Sequence, residues 1–139
     1  MVQLLTVLTL ASEGEVLDDA GIPLQSWLWP DYVVQHLGEV WEQNHDSMPG
    51  LQMSPEFVRE LIARRGAEYV AILASCECED LVAVARAARY AKPIIEVVDY
   101  EGEIPAYDMK KRASEVISVQ PFDSFPQRLK QTIDRLVRQ

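Results

Sequence analysis

Hydrophobic and polar positions fall into short blocks along this chain, and each block has the length of one strand or one helix. Residues 2–11 (VQLLTVLTLA) form a continuous apolar run, which is typical of a strand buried on both faces. Shorter runs occur at residues 69–74, 94–98 and 116–119. Most segments between these runs place apolar side chains three and four residues apart, as amphipathic helices do. The pattern therefore predicts strands and helices in alternation.

The segment from residue 12 to residue 53 predicts three different structures. Residues 12–29 are irregular, with two glycines, a proline and four acids, and they predict a long loop or small hairpin inserted after the first strand. Pro30 and Asp31 then open a predicted helix that runs to about Asn44. Its apolar side chains recur at i, i+4, i+7 and i+8 (Val33, Leu37, Val40 and Trp41). Residues 51–53 predict a short second strand.

Clearer end signals mark the helices that follow. Ser54 is a favourable N-cap and Pro55 suits the first helical position, while Gly66 is expected to end that helix in a left-handed conformation. Residues 80–90 predict an alanine-rich helix. A short helical pattern follows the fourth strand and ends near Ala113, and a Pro-Phe-Asp turn leads into a final amphipathic helix.

Five strands that alternate with helices require a parallel sheet with helices on both faces, because each crossover connection is right-handed. The expected fold is a three-layer, flavodoxin-like α/β domain with a doubly wound five-stranded sheet in the order 2-1-3-4-5. At 139 residues the chain has the length of one domain, so we expect a single domain over residues 1–139 with residues 12–29 as an insertion.

Composition favours a cytoplasmic protein without a membrane span. Hydrophobic residues make up 48% of the chain, but no apolar run approaches the roughly 18–20 residues that cross a bilayer. The apolar N-terminus lacks the basic flank of a signal peptide. Cys76 and Cys78 lie too close together for an easy structural disulfide, which fits a reducing compartment.

Charge is distributed unevenly. The net charge of −9 argues against binding to nucleic acid, which requires an excess of Lys and Arg. Residues 1–109 carry 6 basic and 19 acidic side chains, whereas residues 110–139 carry 7 basic and 3 acidic ones. The basic end is either a set of solvated helix faces or a docking face for an acidic partner or a second copy.

From residue 51 onward, the spacing of strands, helices and turns resembles that of response-regulator receiver domains. LQMSPEFVRELIARRGAEYVAIL is similar to the receiver's second strand, second helix and third strand. PIIEVVDYEGEI through QPFDSF is similar to the fourth strand through the start of the fifth helix. The first strand and first helix fit this resemblance only with the insertion between them.

The resemblance also implies a phosphorylation site, and this chain departs from it at each position. Receivers use an aspartate at the end of the third strand, a Thr or Ser at the end of the fourth and a lysine at the end of the fifth. Here the corresponding residues are Ala74, Val98 and Gln120. Asp18 and Asp19 are a possible remnant of the acidic pair that holds Mg²⁺ in receivers. We therefore expect a pseudo-receiver with no catalytic residue, cofactor or metal.

Such domains act by binding proteins, and receivers form dimers through their C-terminal α-β-α face. The resemblance assigns an interaction face to the basic end of this chain (Tyr107, Lys110, Lys111, Arg112, Arg128 and Arg135). We expect a protein partner or a homodimer, in which Arg128 and Arg135 meet Asp108 and Asp134 across a two-fold axis.

Other residues leave alternatives open. Cys76 and Cys78, flanked by acids, have a metal or redox role or are simply two loop cysteines. His36 is expected to be a surface or boundary residue of a helix. Trp27 and Trp29 either fold back on the domain or offer an anchor to a partner.

A second resemblance indicates a different function. The segment Lys92-Pro93-Ile94-Ile95 is similar to TIR and nucleoside deoxyribosyltransferase domains, in which a helix carboxylate, here Glu79 or Asp80, would act on a nucleoside or NAD glycosidic bond. The glycine-rich phosphate loops, the G-x-S-x-G elbow and the HExxH motif do not occur. A small acidic inhibitor or immunity-type protein would fit the composition, without a motif to support it.

Overall fold

The computed structural model describes residues 5–10, 24–52, 54–75, 79–98 and 113–138. Within them the chain alternates between strands and helices. In chain order the elements are β1 (Leu5–Leu10), α1 (Leu24–Leu28), β2 (Tyr32–His36), α2 (Leu37–Asn44), α3 (Pro55–Arg65), β3 (Tyr69–Ser75), α4 (Glu79–Ala87), β4 (Ile94–Val98), β5 (Glu115–Ser118) and α5 (Phe125–Val137).

The five strands form one parallel sheet in the order β2-β1-β3-β4-β5. This confirms the predicted flavodoxin-like α/β fold. Thr9 of β1 is aligned with His36 of β2 on one side and with Leu73 of β3 on the other. The chain leaves β1 toward one edge of the sheet and later leaves β3 toward the opposite edge, so the topological switch point lies between these two strands.

Helices cover both faces of the sheet, and each face has its own core. Helices α2, α3 and α4 pack on one face, here called the α2–α4 face, with buried side chains that include Leu8, Ile72, Ala74 and Ile94 from the strands. Helices α1 and α5 pack on the other, the α1/α5 face, over Val7, Val34, Leu73, Ile95 and Ile117. Strands with both faces covered explain the nearly continuous apolar runs in the sequence.

The second strand does not lie where it was predicted. Residues 51–53 were expected to form it, but Leu51 is 76% exposed and residues 51–52 are not in a strand. The predicted helix over residues 30–44 instead divides into β2 and α2. Tyr32 and Val34 are buried with the period of two that a strand requires, whereas Leu37 and Val40 keep the helical spacing.

The predicted loop over residues 12–29 contains a helix where the structure describes it. Leu24 and Leu28, four residues apart, are the buried side chains of α1. Helix α1 therefore precedes β2, and α2 and α3 together connect β2 to β3. Residues 11–23 lie outside the described part of the chain. So do residues 99–112, where the fourth helical pattern was expected.

Helix ends follow the predicted rules at one position and break them at another. The Phe57 amide donates to Ser54 Oγ over 3.1 Å, which confirms the N-cap of α3. Gly66 does not adopt the left-handed conformation expected of it, since its φ is −57° and a 3₁₀ turn follows. A side chain there would place its Cβ 3.2 Å from Ile62 Cγ2, so close packing favours glycine.

No helix among the described residues is long and apolar enough to cross a membrane.

Candidate functional site at the carboxyl edge of the sheet

The carboxyl edge of a doubly wound sheet is where such folds bind ligands, at the switch point between the strands. In this chain that edge comprises the ends of β1 and β3, with β2 beside β1 and β4 and β5 beside β3. Strand register and side-chain alternation determine which residues meet there, and on which face.

The three positions equated with receiver phosphorylation residues all lie at this edge. Ala74 is the penultimate residue of β3 and Val98 the last residue of β4, and both are fully buried. Gln120 follows β5 and is half-buried. Their side chains are a methyl group, an isopropyl group and an amide. None of the three can accept a phosphoryl group as an acyl phosphate or supply an ammonium group to bind one.

Strand β3 extends one residue further than predicted, to Ser75. Its side chain lies on the α1/α5 face by alternation with Ala71 and Leu73. The residue is 2% exposed, and its hydroxyl has no hydrogen-bond partner among the residues that the structure describes. The sequence interpretation missed Ser75 because it ended the strand at the last apolar residue, although alternation already allowed one more inward position.

A threonine and a histidine join the ends of β1 and β2 on the same face. Thr9 is 1% exposed, and its Oγ1 lies 2.7 Å from His36 Nδ1. His36 is the last residue of β2, so the helix expected around it is wrong, while its intermediate exposure agrees with a boundary position. Together with Ser75, these two residues add polar groups to the carboxyl end of the α1/α5 face, beyond the apolar cluster in its centre.

Glu96 is a fully buried carboxylate in the middle of β4. It lies on the α2–α4 face, between Ala74 of β3 and Val116 of β5. A charged group is retained at such depth only with an interaction partner, and Glu96 has one. The sequence interpretation passed over it, although a single acid inside the apolar run PIIEVV was a usable signal.

Several predicted site residues cannot be placed. Asp18, Asp19, Cys76 and Cys78 lie outside the described residues, and Glu79 begins α4 with its side chain not described. Asp80 is exposed in the first turn of α4. Within the described ranges, no group of three or more His, Cys, Asp or Glu side chains could hold a metal ion.

The predicted interaction face is represented by β5 and α5, since Tyr107, Lys110, Lys111 and Arg112 are outside the described residues. An open groove of about 430 Å³ runs between these two elements, and it is lined by Ile117, Arg128, Gln131, Thr132 and Arg135. Helix α5 buries its apolar side chains against the sheet, so its polar side chains border this groove.

Arg128 has a structural role in addition to the role predicted for it. Its guanidinium donates to the carbonyl oxygens of Ser118 and Pro121 over 2.8 and 2.9 Å, and to Ser124 Oγ over 2.9 Å. These bonds fasten the first turn of α5 to the end of β5. Arg135 is more exposed and pairs with Glu115 over 2.7 Å.

Asp134, proposed to meet an arginine across a two-fold axis, accepts a 2.6 Å hydrogen bond from the Tyr32 hydroxyl of its own chain. The pKa of Tyr32 is raised above the usual value for tyrosine, mainly because the phenol is buried and also because of this hydrogen bond.

The two tryptophans near α1 have different environments. Trp27 packs edge-on against Phe122 and Phe125, with ring centroids 6.0 and 5.7 Å apart, so it folds back on the domain. Trp29 is 57% exposed, and Phe122 is 44% exposed. The alternative of an aromatic anchor for a partner therefore stays a prediction for Trp29.

No match to this chain was found among protein-family models, curated proteins or solved structures.

Proposed function

We propose that this chain is a non-catalytic, receiver-like signalling domain that acts through protein-protein contacts independently of phosphorylation. The observation that carries this proposal is the combination of the 2-1-3-4-5 sheet with Ala74, Val98 and Gln120 at its carboxyl edge. The frame that positions a phosphorylation site is present, while the side chains at the three positions lack the groups that the reaction requires.

The polar groups that do occupy the edge support the same proposal. A serine hydroxyl such as that of Ser75 becomes a nucleophile only with an adjacent general base. The imidazole described at this edge, His36, is hydrogen-bonded to Thr9 on the intervening strand. Glu96 lies on the opposite face of the sheet from Ser75. Among the described residues, Ser75 therefore has no base beside it, and the Thr9 hydroxyl, which does contact an imidazole, is only 1% exposed and thus out of reach of a substrate.

The groove between β5 and α5 is the surface we assign to the partner. Its polar lining is basic, with Arg128 and Arg135, while residues 1–109 of the chain carry 19 acidic and 6 basic side chains. Charge complementarity therefore favours an acidic partner surface, and a second copy of this chain can supply one. Each exposed ion pair would add only about 0.2–1 kcal/mol, so charge would set the orientation more than the affinity.

A phosphoryl mimic tests the first half of the proposal. Amide spectra of the protein are recorded before and after addition of Mg²⁺ and beryllofluoride, which imitates an acyl phosphate. We expect no change at Ala74, Ser75 or Val98. A specific shift at these residues that saturates with the mimic would show an intact acceptor site and contradict the proposal.

Charge reversal in the groove tests the second half. The groove variant combines Gln131→Glu with Arg135→Glu, and the control combines Gln43→Glu with Arg59→Glu, at exposed positions of α2 and α3, so that both change the net charge equally. Sedimentation velocity at low ionic strength is expected to show concentration-dependent association of the parent and of the control, with a dissociation constant raised several-fold in the groove variant. A parent chain that stays monomeric throughout, or equal association of all three proteins, would contradict the assignment of this surface to a second copy.

A further inference from the structure

Strand β2 forms one outer edge of the sheet and, among the residues described, pairs with β1 alone. An edge strand presents unpaired N–H and C=O groups that can template pairing with another chain. The sequence of β2, YVVQH, is rich in β-branched and aromatic residues and contains no Lys, Arg, Asp or Glu. By composition it is the kind of edge that requires protection.

The side chain of Gln25 in α1 occupies this edge. Its Nε2 donates to the Tyr32 carbonyl oxygen over 3.0 Å, and its Oε1 accepts from the Val34 amide over 2.9 Å. In a parallel sheet, a residue of a neighbouring strand donates its N–H to one carbonyl and accepts from the amide two residues further on. The Gln25 carboxamide therefore makes the two hydrogen bonds that one residue of a sixth strand would make.

Helix α1 holds this carboxamide in place although it is only five residues long. Leu24 and Leu28 are 2% and 0% exposed in the α1/α5 core. The side chain of Trp27, in the same helix, packs against the aromatic rings of Phe122 and Phe125. Gln25 itself projects from the exposed side of α1 toward the strand. The position of the carboxamide is thus fixed by the buried side chains of its own helix, with Leu28 one turn away from Gln25.

The opposite edge of the sheet is protected by charge. Glu115 lies in β5 and forms an ion pair with Arg135 over 2.7 Å. A charged side chain on an edge strand disfavours pairing with another strand because pairing would desolvate it. Strand β2 has no such charge within it, so the two edges of the sheet are closed by different means.

We infer that Gln25 closes the β2 edge against a second copy of this chain, and that loss of its carboxamide turns this edge into a self-association surface. The inference depends on the contacts of α1 and β2 alone and holds whether or not the groove at β5 and α5 binds a partner.

Three single variants test this inference. Gln25→Ala removes both hydrogen bonds, Gln25→Lys removes them but adds a charge at the edge, and Ser26→Ala truncates the exposed neighbour in the same helix. The mass of each variant is measured by sedimentation velocity and compared with that of the parent at the same concentration. Any association through α5 is common to all of these proteins and therefore cancels in the comparison. We expect a higher mass for Gln25→Ala only. An unchanged mass for folded Gln25→Ala, or an equal rise in Ser26→Ala, would overturn the inference.

Hydrogen exchange gives a second readout that does not depend on assembly. The Val34 amide faces the open side of β2, so its protection in the parent comes from Gln25. In dilute Gln25→Ala its exchange is expected to be about fivefold faster, the factor that corresponds to a hydrogen bond of roughly 1 kcal/mol. If Gln25→Ala does not fold, the exchange rate of the Val34 amide in the parent protein tests the inference by itself. Exchange at the rate of an unprotected peptide would show that Gln25 does not close the edge.

Discussion

The hydroxyl of Ser54 sets the start of α3, because it satisfies the Phe57 amide that the helix itself leaves without a partner. Replacing it by alanine is expected to lower the free energy of unfolding by about 1 kcal/mol, while Ser54→Asp keeps an acceptor and most of the stability. Urea titration followed by circular dichroism measures both. Equal losses in the two variants would show that the cap does not act through its side-chain oxygen.

Within the described part of the chain, one helix is followed by a left-handed residue that is an arginine. Arg89, with φ of 71°, follows α4, and its amide and that of Tyr90 bond back to the carbonyls of Arg86 and Ala85. This is the Schellman pattern, in which glycine is favoured.

Arg89→Gly should therefore increase stability by about 0.5–1 kcal/mol, because relief of the left-handed strain exceeds the added freedom of the unfolded chain. The control Arg59→Gly, in the exposed interior of α3, should lower stability by about 1 kcal/mol. Thermal and urea unfolding of both variants measure the difference. A loss of stability in Arg89→Gly would contradict this explanation.

The sequence predicted the role of residues that act on positions nearby in the chain. It did not predict the role of residues that contact strands far away in the chain. Ser54 is defined by the residues that follow it. Ser75 and Glu96 acquire their burial from neighbouring strands, and Thr9 meets His36 only across the sheet. For Glu96 an acid within an apolar run was a visible signal, but nothing local pairs Thr9 with residue 36.

At the scale of elements, residues 30–44 show why a short edge strand is difficult to recognise. The spacing of Val33, Leu37 and Val40 is compatible with one helix, while the alternation of Tyr32 and Val34 spans too few residues to outweigh it. The pairing of residues 32–36 with β1 decides the outcome. The second strand is therefore formed by residues 32–36, and the receiver-like alignment that placed it at residues 51–53 is wrong. The order of the strands in the sheet is nevertheless as expected.

The junction of β5 and α5 depends on the planar guanidinium of Arg128, which donates to three carbonyl oxygens and a hydroxyl at once. Arg128→Lys is expected to lower the free energy of unfolding by about 1–3 kcal/mol, because a single ammonium cannot satisfy these acceptors together. Arg135→Lys in the same helix keeps an exposed ion pair and should change stability by less than about 0.5 kcal/mol. Urea unfolding compares them, and similar effects of both substitutions would argue against a structural role for Arg128.

At the scale of the whole molecule, the fold could be predicted although two elements were placed wrongly. The alternation of five buried strands with helices, together with right-handed crossovers, leaves few arrangements of the sheet. The carboxyl edge follows from that topology, and Ala74, Val98 and Gln120 lie at it, although their equivalence to receiver phosphorylation residues stays a prediction. Their chemistry could be read from residue identity alone, whereas the edge closure by Gln25 required the contact between a short helix and an outer strand.

Buried tyrosines link the stability of the whole molecule to alkaline pH. Burial raises the pKa of Tyr32, Tyr69 and Tyr90 above the usual value of about 10, and for Tyr32 the hydrogen bond to Asp134 adds to this effect. Below that value both states keep their phenol protons and stability does not depend on these groups. As pH rises beyond about 10, the unfolded chain loses protons that the folded chain retains, so unfolding becomes progressively more favourable.

Each tyrosine that ionises only in the unfolded state lowers stability by up to about 1.4 kcal/mol per pH unit in this range. Urea unfolding between pH 9 and 11.5 should show this decline, and Tyr32→Phe should make it shallower while also lowering stability at neutral pH. Absorbance of tyrosinate in the native state should account for at most two of the five tyrosines before unfolding begins. Ionisation of all five near pH 10 with native circular dichroism would mean that these phenols are not buried as described.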